Sequence, residues 1–327
     1  MRTPVKVGLR DVRQNFRQSL LAWYDRQQRD LPWRADRDPY RVWLSEIMLQ
    51  QTRVAAVINH YHEFLRRFPT VHKLAAAREA SVLAAWSGLG YYRRARMMHA
   101  AAKIVVREHG GVFPSTLVGL RALPGVGRYT AAAIASISFG EPVAVVDGNV
   151  ERVLQRVSAK RLSGEELWTA ANDFLQQNRP GDFNQAMMEL GAVICTPRAP
   201  SCLICPVIEM CSTRGEQPAP ARLTAQKKRD IHYALHLRDK EVLLVQRPRN
   251  ASLMEGMWEL PEVKSRNGNS EPLFTLRHSI TVTDYVVRVW PATTAPDVSG
   301  NWISLRRLPQ VALTGLARKI LRKAMIL

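Results

Sequence analysis

Apolar residues recur at helical spacing through the first two thirds of the chain. Between positions 40 and 68, Trp43, Ile47, Val54, Val57, Ile58, Tyr61, Phe64, Leu65 and Phe68 fall three, four or seven apart. That pattern predicts an amphipathic helix over 40–68, with Asp36, Asp38 and Pro39 as its start signals. Ala- and Leu-rich stretches predict helices over 71–86 and 93–108, punctuated by Gly88 and Gly90. A helix pair is expected on either side of 123–127, and another helix over 165–177. After Cys211 the pattern changes. Residues 212–228, with Gly215, Pro218, Pro220 and several lysines, read as a linker. Short β-like runs follow at 231–237, 241–246, 281–290 and 302–305, with a turn at 267–269 and a closing helix over 314–324. The expected division is a mainly α domain over 1–211, a linker over 212–228 and a smaller α+β domain over 229–327.

The chain has 327 residues, 46% of them hydrophobic, enough for two buried cores. Lys and Arg number 47 against 28 Asp and Glu, a formal charge of +19. The excess is spread along the chain, so a broad folded surface facing a polyanion, nucleic acid before membrane, is the expectation. No uninterrupted apolar run approaches the roughly 18 residues a membrane span needs. Residues 1–18 have no signal-peptide core, and four cysteines are too few for a secreted disulfide scaffold. A cytoplasmic, nucleoid-associated monomer with no membrane partner is expected.

Four groups of residues carry chemistry. Cys195, Cys202, Cys205 and Cys211 lie in one 17-residue window, spaced C-x6-C-x2-C-x5-C. Thiolates held that closely suit a tetrahedral metal or a cubane iron–sulfur cluster; the spacing alone does not separate zinc from iron, and paired disulfides are the plain alternative. In Leu123-Pro124-Gly125-Val126-Gly127-Arg128-Tyr129-Thr130 a Gly-rich turn hands over to a helix N-terminus. Free N–H groups there can grip a phosphate without reading sequence, or the segment is an ordinary helix–helix turn. Asp147, between an apolar run and Gly148-Asn149, reads as a helix cap, as a carboxylate placed to stabilise a developing cation, or as both. Glu46 lies among Trp43, Ile47 and Met48. A carboxyl on a helix is by default at the surface, but partial burial among such neighbours would raise its pKa and let it hold a proton near neutrality.

Together these residues resemble the adenine-specific DNA glycosylases of the MutY type, in the helix–hairpin–helix glycosylase superfamily. The resemblance is carried by Leu31-Pro32-Trp33-Arg34, the segment from Ser45 through Glu46 to Thr52, and Gly88-Leu89-Gly90-Tyr91-Tyr92. It continues through the 123–130 hairpin, Val146-Asp147-Gly148-Asn149-Val150, the 184–191 segment and the cysteines. Gly256-Met257-Trp258-Glu259-Leu260-Pro261 resembles the start of that family's Nudix-like C-terminal domain. The resemblance implies excision of adenine mispaired with 8-oxoguanine or guanine in double-stranded DNA, and one [4Fe–4S] cluster on the four cysteines. It implies that Glu46 protonates adenine N7 and that Asp147 stabilises the oxocarbenium-like sugar, with Tyr129 and Asn149 in support. Trp33, Arg34 and Glu189 match adenine-pocket positions; Gln51 and Tyr92 match duplex-wedging positions; Gly125, Val126 and Gly127 form the backbone-gripping hairpin. Tyr129 stands where the endonuclease III type has a Schiff-base lysine, which implies a monofunctional enzyme.

Two departures stand out. Ile280-Thr281-Val282 replaces the Phe-Ser-His type loop that senses 8-oxoguanine. Thr281 retains a hydroxyl, and weaker lesion discrimination, or sensing by His278, is expected. The Nudix hydrolase signature is missing past Gly256, so this domain is expected to bind rather than hydrolyse. The competing readings are another helix–hairpin–helix glycosylase, of the thymine-mismatch or damaged-pyrimidine type, and a non-catalytic DNA-binding protein.

Overall fold

A computed structural model describes residues 9–215, 227–251, 253–263, 271–280, 283–292 and 300–327. Helices dominate the chain to His109 and beyond: α1 Leu9–Gln27, α2 Pro39–Leu49, α3 Val54–Arg67, α4 Val71–Ala75, α5 Glu79–Trp86 and α6 Arg93–His109. Then come α7 Leu117–Arg121, α8 Arg128–Phe139, α9 Gly148–Ser158, α10 Gly164–Phe174 and α11 Pro180–Val193. The strands are β1 Lys227–Leu235, β2 Leu237–Arg238, β3 Glu241–Gln246, β4 Trp258–Glu259, β5 Phe274–Ile280, β6 Thr283–Pro291 and β7 Asn301–Ser304, before α12 Gly315–Lys323. A helical fold followed by a smaller α/β region is the class the sequence predicts. Among the described residues no helix is long and apolar enough to cross a membrane.

The helix expected over 40–68 is two helices. Asp38 starts α2 by accepting the Arg41 N–H at 2.9 Å. The helix ends at Gln50, Gln51 takes a left-handed φ of 55°, and Arg53 is extended before α3. The stretch 71–86 is likewise broken between α4 and α5, where Arg78 is extended. The expected linker lies mostly outside the described residues, and its last two residues, Lys227 and Lys228, already belong to β1. The expected turn at 267–269 also lies outside them.

By Cα packing the chain makes two compact units. One contains the described parts of 1–51 and 104–221, the other those of 52–103 and 222–327. In the first unit α8 is buried along Ala131, Ala132, Ala133, Ile134 and Ala135. Its small residues admit α11 closely: a Cβ on Gly181 would stand 2.6 Å from the Ser136 carbonyl oxygen. Phe16 meets Phe174 edge-on at 4.9 Å and Trp43 meets Phe113 at 5.3 Å. Full burial of each such side chain is worth about 1.5–3 kcal/mol.

The second unit joins α3, α4 and α5 to the strands. β1 runs parallel to β6, and β5 pairs antiparallel with β6. A second sheet has the order β2-β3-β4, with β7 also on β3. Tyr233, Val242, Leu244, Val287, Val289 and Ile320 share its core. The closing helix falls where the sequence places it: Thr314 Oγ1 accepts the Ala317 N–H at 3.1 Å, and Ala324 is its C-cap.

Candidate functional site

The hairpin between α7 and α8 turns on Gly125, whose φ of 75° favours glycine. Leu123 and Val126 are buried and anchor the turn, while Gly125 and Gly127 are exposed. No side chain caps Gly127 at the start of α8, so this end presents backbone N–H groups and the positive end of the helix dipole.

The first turn of α8 carries Tyr129 to the carboxyl of Glu46 on α2. Tyr129 Oη donates to Glu46 Oε2 at 2.7 Å and lies 3.2 Å from Met188 Sδ. Glu46 is buried. Burial pushes its carboxyl up to about 7; the Tyr129 hydrogen bond and Arg34 pull down, and the nearby Asp147 pushes up. Burial, Glu46 and Asp147 together drive the Tyr129 hydroxyl well above its ordinary value, so it stays a proton donor.

Asp147 caps α9, as the sequence pattern allows. Its Oδ1 accepts the N–H groups of Asn149 and Val150 at 2.9 and 2.8 Å, and its Oδ2 accepts Asn149 Nδ2 at 2.9 Å. The cap fixes the carboxylate near Glu46. Asn149 is held in turn: Arg152 Nη2 donates to Asn149 Oδ1 at 2.8 Å, and a Cβ on Gly191 would stand 2.6 Å from Asn149 Cβ.

Glu189 on α11 is fully buried and fully bonded. Its Oε1 accepts Arg29 N–H and Nε, and its Oε2 accepts Arg29 Nη2 and Arg34 Nη2, the charged contacts at 2.6–2.8 Å. Burial would raise this carboxyl, but the two arginines outweigh it and hold it at about 2. Arg34 lies over the Tyr24 ring, and Trp33 is buried in the turn Pro32–Arg34. Sequence reasoning missed Arg29, which stands two residues before the Leu31-Pro32-Trp33 signal with no periodicity to mark it.

All four cysteines are free thiols lining one pocket with Arg156, Leu190, Pro200 and Val207. Arg156 Nη1 donates to Cys195 Sγ at 3.2 Å and to the Thr196 carbonyl at 2.8 Å. Burial pushes the Cys205 thiol up to about 11, assisted by the other three sulfurs.

Two expectations for the wedge come out differently. Gln51 is exposed in its left-handed conformation. Tyr92, expected at the wedge, is 4% exposed, with its hydroxyl donating to the Leu313 carbonyl at 3.3 Å. Its neighbour Tyr91, with a φ of 48°, is 47% exposed. Thr281 lies outside the described residues. His278 is half-buried on β5, where burial and Lys319 hold its imidazole below the usual range.

Residues 44–170 match the HhH-GPD superfamily of base excision DNA repair proteins. The chain is 41% identical to the human adenine DNA glycosylase, over 76% of this chain and 57% of that protein. It is 34% identical to the adenine DNA glycosylase of Buchnera aphidicola subsp. Baizongia pistaciae, over 77% of this chain and 75% of that one. The chain thus spans less than two thirds of the length of the mammalian relatives it matches. Among solved structures, a thermostable thymine-DNA glycosylase superposes with a TM-score of 0.60 at 29% identity, covering 64% of this chain and 99% of that one. An endonuclease III trapped covalently on DNA superposes at 0.54 and 24% identity, over 62% of this chain and 97% of that one, a likeness of fold. By its identity and coverage, the chain belongs to the adenine DNA glycosylase family.

Proposed function

We propose that this chain hydrolyses the N-glycosidic bond of adenine mispaired with 8-oxoguanine, or with guanine, in duplex DNA. The observation that carries the reading is the pairing of a buried carboxyl held near pKa 7, Glu46, with the capped Asp147 carboxylate beside it. Adenine leaves poorly until its ring is protonated, so a neutral acid is needed; the sugar left behind is cationic, so a carboxylate is needed too. Glu46 gives its proton to N7 of the flipped-out base, the C1′–N9 bond breaks, and adenine departs neutral. The Asp147 carboxylate faces the positive charge at C1′. The ionised Glu46 then takes a proton from the water that adds to C1′, which restores the acid. Tyr129 holds Glu46 throughout and, unlike a lysine, offers no amine for a Schiff base.

Trp33 and the arginine-clamped Glu189 support an adenine pocket, and the exposed Gln51 supports a wedge at the mispair. The net charge of +19 and the open hairpin support binding to the phosphate backbone, with marked salt sensitivity. The C-terminal region is the candidate sensor of 8-oxoguanine, through His278 or Thr281.

The donor set at Cys195, Cys202, Cys205 and Cys211 fits a [4Fe–4S] cluster: four unbridged thiols around one pocket, with Arg156 against the first. A bound cluster would supply a cross-link of the 195–211 loop rather than a step in bond cleavage.

The test is single-turnover cleavage of duplexes carrying adenine opposite 8-oxoguanine, adenine opposite guanine, and thymine opposite guanine, with and without hot alkali. Alkali-dependent cleavage at adenine alone is expected. Cleavage at thymine would favour the second reading, which the likeness to a thymine-DNA glycosylase supports; strand scission without alkali would overturn the monofunctional assignment.

A further inference from the structure

Two distant stretches of the second unit meet around one hydroxyl. Ser87, buried at the end of α5, donates through Oγ to the Leu313 carbonyl at 2.7 Å and accepts Arg318 Nε at 2.9 Å. The hydroxyl thus uses a donor and an acceptor at once. The segment it grips is itself anchored. Trp258 N–H donates to the Ala312 carbonyl and Thr314 N–H to the Trp258 carbonyl, both at 2.9 Å, and Thr314 caps α12.

Beyond Ser87 the backbone passes through left-handed conformations at Gly88 (φ 111°), Gly90 (φ 71°) and Tyr91 (φ 48°). Glycine takes such angles freely; tyrosine does so only where the surroundings impose it. Arg94 pins the far side, donating to the carbonyls of Leu89 and Gly90 at 3.2 Å with its guanidinium 5.5 Å from the Tyr91 ring centre. Arg318 is the unusual member. It is a half-buried guanidinium that meets the Ser87 hydroxyl, with Tyr92 and the like charges of Arg322 and Arg67 nearby.

We propose that Ser87 and Arg318 form a brace through which the C-terminal segment holds the 87–91 turn and sets the Tyr91 ring for insertion at the mispair. Both are positioning residues. The proposal rests on the DNA glycosylase reading above.

The test uses the full chain and a mispaired duplex with 2-aminopurine beside the mispair, whose fluorescence rises when the stack opens. Ser87→Ala and Arg318→Met are expected to lower that rise and the single-turnover excision rate about tenfold, the size of one lost buried hydrogen bond. Affinity for undamaged duplex, which is largely electrostatic, should stay within about twofold. Ser87→Thr, which keeps the hydroxyl, should restore both signals. In the double variant Ser87→Ala/Tyr91→Ala the loss should be no greater than in Tyr91→Ala alone, a coupling that general loosening of the fold would not produce. Additive losses, or a Ser87→Ala protein matching the parent in fluorescence, would overturn the brace. A parent chain that leaves the fluorescence flat removes the wedge and the brace with it; loss of excision with fluorescence intact would instead count against the chemistry.

Discussion

The Nε–H of Arg152 donates to the main-chain oxygen of Cys195 at 2.7 Å. The same guanidinium reaches Asn149 Oδ1 at 2.8 Å and the Gly191 carbonyl at 2.6 Å through Nη2. One side chain of α9 therefore ties the start of the cysteine loop to the residue that holds Asp147. Arg152→Leu should slow adenine excision by about tenfold or more, since it removes several charge-assisted hydrogen bonds at once. It should also speed amide hydrogen exchange in 195–211. Both are measurable on one preparation, and an effect on the loop without one on the rate would separate the two ends of the link.

The pH profile follows from Glu46. As the acid it must be neutral, so single-turnover rates should fall as pH rises through about 7. Removing the Tyr129 hydroxyl with Tyr129→Phe deletes the bond that favours the ionised form. The alkaline limb should then move upward while the maximal rate drops.

Stability carries the same sign. The folded pKa of Glu46 lies above the usual carboxylate value, so below about pH 4.5 its burial carries no charge penalty, and the penalty grows as pH rises through about 7. Glu46→Gln should therefore melt higher than the parent at pH 8 and alike at pH 4, while losing excision. Thermal unfolding at the two pH values checks this.

Asp147 allows a clean separation of cap from chemistry. Asparagine caps helices about as well as aspartate, so Asp147→Asn should change stability by less than about 0.5 kcal/mol, whereas Asp147→Ala should cost about 1 kcal/mol. Both variants should lose excision by about a hundredfold or more, as expected when preorganised stabilisation of charge is removed. Denaturant melts and single-turnover assays together give the four numbers.

Gly191 admits no larger residue. An added Cβ would sit 2.6 Å from Asn149 Cβ and 3.0 Å from its Cα and backbone oxygen. Gly191→Ala should cost about 1–3 kcal/mol through overpacking. Because Asn149 is the group displaced, excision should fall further than stability alone accounts for.

Most of this was legible in the sequence, and the failures have particular causes. The bounds of α12, the cap at Asp38 and the four thiols around one pocket follow from local chemistry. The break between α2 and α3 was hidden because Ile47 and Val54 stand seven apart, which keeps the apolar phase across the gap. Tyr91 and Tyr92 are adjacent aromatics that no periodicity ranks; only the packed fold buries Tyr92 and leaves Tyr91 exposed. Arg29 meets Glu189 across 160 positions, a pairing that only the packed fold reveals.

The second unit is built from two pieces of chain with the bulk of the first between them. On the ribosome, at roughly 5–20 residues per second, Val82 and Trp86 emerge many seconds before the strands that complete their unit. The α3–α5 stretch must therefore wait with apolar surface uncovered while the residues between the two pieces are made. This chain is expected to need holdase protection during synthesis, and a late stall there would release an aggregation-prone fragment rather than a half-active enzyme.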